Sequence, residues 1–262
     1  MITSSSNSKI KLVRALQTQA QQRKSQQAFV AEGVRLIEDA IMAKWPMDYV
    51  LFDQTLSERG KTLIDSLDKH KATELFEISP ALMAELSDTE TPQGILAVLP
   101  RQGLPLPASP TFVILVDQMR DPGNMGTLLR TAEAAGVDAV LLTPGTVDAF
   151  SPKVVRAGMG AHFHLPILHT AWHEIHSYLR GLAIFLADSN SGPVLWDADL
   201  RQPCVLLIGG EAFGASAMGE ALATHRVNIP IHGRAESLNA AVAAAILITE
   251  VCRQRFRQEK DI

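Results

Sequence analysis

The feature that most constrains the fold is a set of short apolar runs without polar alternation. FVILVD at 112–117, AVLLT at 139–143 and CVLLIGG at 204–210 each contain four consecutive aliphatic residues. Strands of a parallel sheet are covered by helices on both faces. Their sequences are therefore apolar at every position rather than at every second one. Helical patterns separate the runs, and a long one extends from Ser237 to about Phe256. The sequence therefore predicts an α/β domain with a mostly parallel sheet. Further strands are predicted at FHLPIL, LAIFLAD and RVNIPI.

A proline-rich stretch predicts the domain organisation. PRQGLPLPASP at 100–110 holds four prolines. Proline fixes φ and lacks an N–H donor, so neither a helix nor a central strand fits. We therefore expect a smaller N-terminal domain over 1–103, a linker over 104–110 and a C-terminal domain over 111–262. The N-terminal part begins with a polar helix, Ser8–Arg23, and then alternates strand and helix patterns, which predicts a smaller α/β domain.

Cysteine usage and hydropathy indicate a cytoplasmic protein. Cys204 and Cys252 stand far apart, and neither belongs to a CxxC motif, so a disulfide framework and a zinc site are both unexpected. The N-terminus lacks the apolar core of a signal peptide. The longest apolar run, AAVAAAILI at 240–248, is too short to cross a bilayer. We expect no membrane segment.

Histidine is concentrated in one stretch, with five of the eight between His162 and His176. The pattern puts His162 and His164 on one predicted strand, and His173 and His176 one helical turn apart. A metal site needs a third ligand and polar groups that orient the ligands. Structural or surface roles are therefore favoured, and no metal is expected.

Positive charge is concentrated near the N-terminus. Residues 1–44 hold seven basic and three acidic groups, a local charge of +4 in a chain of net charge −4. A solvated helical face would explain this, and so would a surface that contacts RNA phosphates. The candidate RNA-binding residues are Lys9, Lys11, Arg14, Arg23, Lys24 and Arg35.

Several nucleotide and hydrolase motifs fail on spacing. DPGNMGTLLR offers only Gly123 and Gly126, not the GxGxxG of a nicotinamide dehydrogenase. RGKT at 59–62 resembles the end of a P-loop, but Thr55 stands where its first glycine belongs. GASAMG lacks the second glycine of GxSxG, since Met218 occupies that position.

Three stretches place glycines or small residues at the carboxyl ends of predicted strands, where open α/β sheets bind ligands. They are DPGNMGTLLRTAEAAGV at 121–137, LLIGGEAFGAS at 206–216 and VNIPIHGRAESLNAAVAAAILITE at 227–250. In the first, the apolar residues follow helical spacing and put Arg130 on the opposite side. Alone, Arg130 could be an ordinary exposed arginine and Asn124 a helix cap.

Taken in order, these stretches resemble the three motifs of the SpoU (SPOUT-class, TrmH-like) RNA 2′-O-ribose methyltransferases. The likeness covers 111–262, where SPKVVRAGMGAHFHLPI also looks like the family's intermediate stretch. FVAEGVRLIEDA and TPQGILAV look, more loosely, like its N-terminal substrate-binding domain. Gly210 departs from a common asparagine of the second motif, and Ala212 from a common glycine.

The resemblance implies a deep trefoil knot in the C-terminal domain, an exception to the usual rules of chain connection. It implies S-adenosylmethionine as cofactor and methylation of a ribose in structured RNA. Ribosomal RNA is preferred over transfer RNA, and a homodimer is expected. By motif position, the cofactor-binding residues are Gly209, Ile229 and Leu238, with Gly210, Ile231 and Thr143 nearby.

The implied chemistry requires an aligned hydroxyl, removal of its proton and stabilisation of the developing alkoxide. By motif position, Arg130 is the family's key arginine, which some accounts make the general base. Because guanidinium stays protonated, we expect Arg130 to clamp an RNA phosphate and stabilise the alkoxide. Asn124 would orient Arg130 or the ribose, and Glu211 would pair with Arg130 or fix its loop. Ser237 and Asn239 would hold polar groups of cofactor and substrate, unless Ser237 caps the final helix.

Two other classes remain as alternatives. A base-modifying SPOUT methyltransferase would lack the combination of Asn124, Arg130 and the Ser237–Asn239 stretch. A non-catalytic RNA-binding protein with the same fold would have no need of an intact Arg130, Glu211 and Asn239. A cofactor-binding measurement separates the second alternative from an enzyme.

Overall fold

The computed structural model describes residues 1–70, 73–188 and 191–260. Its α-helices are α1 (Ser8–Thr18), α2 (Ala20–Gln26), α3 (Val34–Met42), α4 (Glu58–His70), α5 (Pro80–Leu86), α6 (Pro122–Ala134), α7 (Pro152–Gly158), α8 (Trp172–Tyr178), α9 (Ala217–Leu222) and α10 (Ala240–Lys260). Its strands are β1 (Ala28–Glu32), β2 (Tyr49–Phe52), β3 (Glu74–Glu77), β4 (Ile95–Pro100), β5 (Phe112–Asp117), β6 (Ala139–Leu142), β7 (Ile167–His169), β8 (Ala183–Ala187), β9 (Cys204–Gly209) and β10 (His225–Val227). No helix in the described part of the chain has the length and apolar character needed to span a membrane.

The chain forms two compact units, and each is built from two separate segments of the chain. The first combines Met1–Gln102 with Phe150–Phe163, while the second combines Gly103–Ala149 with His164–Ile262. The first segment ends beside the boundary expected at residue 103. Phe150–Phe163, expected in the C-terminal domain, belongs instead to the first unit because its aromatic rings pack there. The ring of Phe150 lies 5.2 Å from that of Phe29, and the ring of Phe163 lies 5.4 Å from that of Trp45.

The first unit contains a four-stranded sheet in the order β1-β4-β2-β3. Strand β4 is antiparallel to β1 and β2, and β2 is parallel to β3. The helix expected over Ser8–Arg23 is broken at Gln19, whose φ and ψ of −124° and 111° are extended, and α1 and α2 lie on either side. Ile10, Val13 and Leu16 of α1 are fully buried in the core, so this polar helix also carries an apolar face.

The second unit contains a six-stranded sheet in the order β10-β8-β9-β5-β6-β7. Every pairing in it is parallel, as the apolar runs predicted. All six residues of β5 and five of six in β9 are buried, which fits two central strands covered on both faces. The final helix, α10, packs on α6 and β9. The α/β class of this domain is confirmed.

Two strands of the second unit are shorter than expected. RVNIPI forms a strand only over His225–Val227, and FHLPIL only from Ile167. A proline stands within each predicted run, and it can supply no N–H to a ladder. Residues 228–239 therefore leave the sheet as a loop.

The paired-histidine strand does not form either. His162 lies in a 3₁₀ helix, Ala161–Phe163, where it is buried with its ring 5.4 Å from that of Phe150. The described residues include no group of three histidine, cysteine or carboxylate side chains placed to hold a metal ion.

Candidate functional site

A cavity of about 530 Å³ lies at the carboxyl ends of β8, β9 and β10 in the second unit. Loops after β9 and β10 form most of its wall. Five of the six predicted cofactor-binding residues line it: Gly209, Gly210, Ile229, Ile231 and Leu238. Ser237 and Glu211 line it too. Because the carboxyl ends of parallel strands meet at one edge, motifs far apart in the chain converge on one pocket.

The two glycines at the end of β9 are required by the protein's own backbone. A Cβ on Gly209 would overlap the backbone of Gly214 and Ala215, and a Cβ on Gly210 would overlap the carbonyl oxygen of Gln118. The loop from Gly210 to Gly214 closes on itself through two backbone hydrogen bonds. The Gly210 N–H donates to the Gly214 carbonyl at 2.9 Å, and the Gly214 N–H donates to the Gly210 carbonyl at 3.1 Å. Both glycines therefore make room for a tight turn of the chain itself.

Asn124 joins the three motifs through its side chain. Its Nδ2 donates to Glu211 Oε1 at 2.9 Å, and its Oδ1 accepts from Asn239 Nδ2 at 2.9 Å. The helix cap is not Asn124 but Asp121, whose Oδ1 accepts from the Asn124 N–H at 2.8 Å. Helix α6 thus begins at Pro122, with proline in the first turn where its missing donor costs nothing. The Asn124 amide is left available to bridge Glu211 and Asn239.

Glu211 fixes the start of α6. Besides Asn124, its carboxylate accepts from the backbone N–H groups of Arg120 at 3.1 Å and Asp121 at 3.3 Å. Partial burial raises the pKa of Glu211, but these hydrogen bonds together outweigh it and hold the pKa below the ordinary value. Glu211 is therefore a weak base at neutral pH. Its contacts are those of a loop-fixing residue, and none of them is with Arg130.

Arg130 is exposed on α6. Its neighbours Leu128 and Leu129 are fully buried, which confirms the predicted division of the helix into two sides. Arg130 forms no hydrogen bond or ion pair with any residue that the structure describes. Its guanidinium is accordingly available to an anion from outside the protein.

Asn239, rather than Ser237, caps the final helix. Asn239 Oδ1 accepts from the N–H groups of Ala241 at 3.0 Å and Val242 at 3.2 Å. Helix α10 begins at Ala240 for this reason, three residues later than the sequence pattern suggested. One amide therefore caps α10 with its oxygen and contacts Asn124 with its nitrogen.

Asp117, which the sequence analysis did not single out, lies beneath the loops and is fully buried. Its Oδ1 accepts from the Thr143 hydroxyl at 2.9 Å, and its Oδ2 accepts from the Ser216 N–H at 2.6 Å. Thr143 is buried with it and does not line the cavity, unlike the other predicted cofactor residues. The sequence does hold one signal for this role, which is an acidic residue at the end of an apolar run. A carboxylate at such a position is expected to be buried, and a buried charge must have hydrogen-bond partners.

The predicted RNA-binding residues of the first unit have unequal surroundings. Lys9 pairs with Glu74 at 2.8 Å, and Arg14 pairs with Glu85 at 2.6 Å. Arg23 is buried and donates to the carbonyl oxygen of Leu16 at 2.6 Å, near the end of α1. This burial contradicts its assignment to an RNA-contacting surface, because terminal helix carbonyls need donors and Arg23 supplies one.

Three other cations remain on the surface of this unit. Lys11, Lys24 and Arg35 are exposed and form no ion pair with the described residues. Of the six candidates, these three present charge that forms no ion pair within the described part of the chain.

Comparisons with known proteins cover both parts of the chain. The model of the SpoU rRNA Methylase family matches residues 111–249, and that of the MRM3-like substrate binding domain matches residues 7–97. The 23S rRNA (guanosine(2553)-2′-O)-methyltransferase RlmP of Bacillus subtilis is 34% identical over 254 residues, which is 94% of this chain and 97% of that protein. The 23S rRNA (uridine(2479)-2′-O)-methyltransferase of Streptomyces viridochromogenes is 33% identical and is matched over 83% of its length by 87% of this chain.

Solved structures agree over nearly the whole chain. The SpoU methyltransferase AviRb from Streptomyces viridochromogenes, in complex with AdoMet, superposes with a TM-score of 0.88 at 30% identity, over 95% of this chain and 98% of that one. An AdoMet-bound rRNA methyltransferase from Sinorhizobium meliloti gives a TM-score of 0.85 at 28% identity, over 96% and 97% of the two chains. Two of the motifs line one cavity, and the first is joined to both through Asn124. With these likenesses spanning both units, the chain belongs to the SpoU rRNA methylase family.

Proposed function

We propose that this protein methylates a ribose 2′-hydroxyl of ribosomal RNA with S-adenosylmethionine as the methyl donor. The observation that carries the proposal is the Glu211–Asn124–Asn239 network, which ties all three motifs to the cavity. Family membership supports it, as do the named activities of the ribosomal RNA methyltransferases that this chain resembles.

The cavity fits the cofactor. Its volume of about 530 Å³ lies within the range of about 300–1,000 Å³ that small-molecule sites occupy. Ile229, Ile231 and Leu238 offer apolar contact, and the turn after Gly209 offers backbone polar groups. When bound there, S-adenosylmethionine supplies an electrophilic methyl group and a neutral leaving group. No acid is then needed, so the protein's part is to align the hydroxyl and offset its developing charge, while the hydroxyl proton passes to solvent water.

Arg130 performs that second task. Its guanidinium is always protonated and has no partner among the described residues, so it can hold an RNA phosphate and stabilise negative charge on the 2′-oxygen. Asn124 is engaged at both ends of its amide and acts as a positioning residue for the start of α6. Glu211 holds the same helix start through hydrogen bonds to both of its carboxylate oxygens and acts as a second positioning residue. Ser237, on the cavity wall, is placed for a polar group of the cofactor.

The assembly is part of the proposal. Helix α10 exposes Val242 and Ile246, four residues apart and 49% and 36% exposed, which suits contact with a second copy. We propose a homodimer, and light scattering at micromolar concentration tests it. A monomer mass would contradict the dimer.

The trefoil knot that the motif resemblance implies stays a prediction for the second unit. A cytoplasmic location is supported by two free cysteines.

The activity is tested with the purified protein, isotopically labelled S-adenosylmethionine and unmodified transcripts of 23S ribosomal RNA. Transfer RNA serves as the comparison. We expect label in a 2′-O-methylated nucleoside of the ribosomal transcript. Label on a base, label in transfer RNA alone, or cofactor binding without transfer would each contradict the proposal.

A further inference from the structure

A large aromatic side chain stands in solvent at the rim of the cavity. Phe213 is 92% exposed, although it lies between Ala212 and Gly214 in the loop that lines the site. Leaving a phenylalanine side chain in water forgoes about 1.5–3 kcal/mol of burial free energy. Such exposure on a cavity wall indicates a surface that another molecule covers.

The loop holds Phe213 in a fixed place. Gly210 and Gly214 form a short antiparallel bridge, and residues 211–213 make the turn between them. Glu211 points back to the start of α6 through its three hydrogen bonds, so the turn is fastened on that side. The backbone that carries the ring is therefore preorganised, so binding has to order only the side chain.

The chemistry around Phe213 suits a nucleotide. The turn that carries Phe213 is bonded to Asn124, and Arg130 follows Asn124 by six residues, a rise of about 9 Å along α6. Unpaired bases of RNA stack on aromatic side chains, while guanidinium groups hold phosphates. The exposed ring thus offers a stacking contact at the rim of the cavity, and Arg130, without a partner among the described residues, offers an anion contact on the helix to which this turn is bonded.

We propose that Phe213 is a positioning residue that stacks on an unpaired base of the RNA, adjacent to the ribose that is methylated. This rests on the proposed function and adds a substrate contact to it. The substrate is then a loop, bulge or other unstacked region, because a base within a helix cannot reach the ring. The stack tolerates any base, so Phe213 sets the conformation of the nucleotide rather than its identity.

Two other molecules could cover the ring, and each leaves a different signature. Stacking on the adenine of the cofactor would make cofactor affinity depend on Phe213. Contact with a second copy of this chain would make the molecular mass depend on it.

The test compares the parent with Phe213→Ala and Phe213→Tyr. Met218→Ala is the matched control, because Met218 is also an exposed apolar side chain, at 54%, but does not line the cavity. Methyl transfer to an unmodified 23S ribosomal RNA transcript gives kcat and KM, calorimetry gives cofactor affinity, and light scattering gives mass.

For Phe213→Ala we expect kcat/KM for RNA to fall about 5- to 150-fold, the range for loss of one base–aromatic stack. The loss should appear mainly as a higher KM. Phe213→Tyr keeps the ring and should restore most of the parent value, while Met218→Ala should match the parent. Cofactor affinity, mass and thermal stability should not change.

Parent-like kinetics for Phe213→Ala would overturn the proposal. An equal loss of cofactor affinity would assign the ring to the cofactor, and a fall in mass would assign it to a second copy. If the parent itself transfers no methyl group, the proposed function fails. Filter binding of the same transcript by parent and Phe213→Ala then still decides whether the ring contacts RNA.

Discussion

The strand-end loops of the second unit and the basic N-terminal stretch of the first carry polar residues in opposite ways. In the loops, Glu211, Asn124 and Asn239 bond to one another, and Arg130 on the adjoining helix α6 has no partner among the described residues. In the N-terminal stretch, the sequence suggests a uniform positive surface, yet Lys9 and Arg14 are paired and Arg23 is buried. Motifs with fixed spacing show where a functional site lies. A count of basic residues does not show which of their charges are already paired or buried within the protein.

The largest expected effect is at Arg130. Arg130→Ala should lower kcat/KM for RNA by about 100- to 1,000-fold, as removal of a transition-state donor does. Arg130→Lys should recover little, because the planar fork is lost. Single-turnover methylation measures the effect, and calorimetry should show unchanged cofactor affinity. Glu133→Ala, an exposed charge on the same helix, is the control. A rate equal to the parent's would remove Arg130 from the reaction.

The second test concerns Asp117. Asp117→Ala leaves the Ser216 N–H and the Thr143 hydroxyl without their acceptor, so the free energy of unfolding should fall by about 1.5–3 kcal/mol. Lys61→Gln removes an exposed ion pair of the first unit and should cost no more than about 1 kcal/mol. Urea unfolding measures both. Equal losses would mean that the hydrogen bonds of the loops contribute no more than a surface pair.

The third test divides the basic residues by their surroundings. Replacing Lys11, Lys24 and Arg35 together by Gln should flatten the log–log salt dependence of RNA binding by about two to three units if each neutralises one phosphate. Replacing Lys9 and Arg14 by Gln should change it less, since both are already paired. Filter retention at several salt concentrations measures the slopes. The same slope for the parent and the triple variant would place the RNA elsewhere.

The smallest expected effect separates the two roles of Asn239. Asn239→Ala removes the cap of α10 and should lower the free energy of unfolding by about 0.5–2 kcal/mol. Asn239→Ser keeps a capping oxygen but loses the donor to Asn124, so it should restore stability without restoring activity. Urea unfolding and methyl transfer, measured side by side, check this. Full activity in Asn239→Ser would show that the contact with Asn124 is dispensable.

Much of the fold could be predicted because its signals are local. The apolar runs of β5 and β9 predicted a parallel sheet. The helical spacing of the apolar residues, Leu128 and Leu129 among them, predicted a buried and an exposed side for α6. The motif likeness located five cavity residues by position. It could not show that Gly209 accommodates backbone rather than ligand, because that depends on where Gly214 folds back.

What failed depends on contacts between distant residues. Asp117 looks like an ordinary strand end until Thr143 and Ser216 arrive beside it. Arg23 looks exposed until its guanidinium is found on a carbonyl of the preceding helix. The acid at the end of the run FVILVD is the one local sign of the first arrangement, and the second leaves none in composition or periodicity.

The discontinuous first unit has a consequence for the order in which the protein is made. A nascent chain that has emerged as far as residue 110 carries the four strands of that unit but not Phe150 or Phe163, which follow only after β5, α6 and β6. The contacts of Phe29 and Trp45 with these rings can form only after residue 163 has been synthesised. The first unit therefore cannot complete its folding before synthesis of the second begins, as N-terminal domains usually do. Cutting the chain near residue 103 would likewise leave exposed aromatic surface on both fragments, and separate expression of the halves should give poorly soluble products.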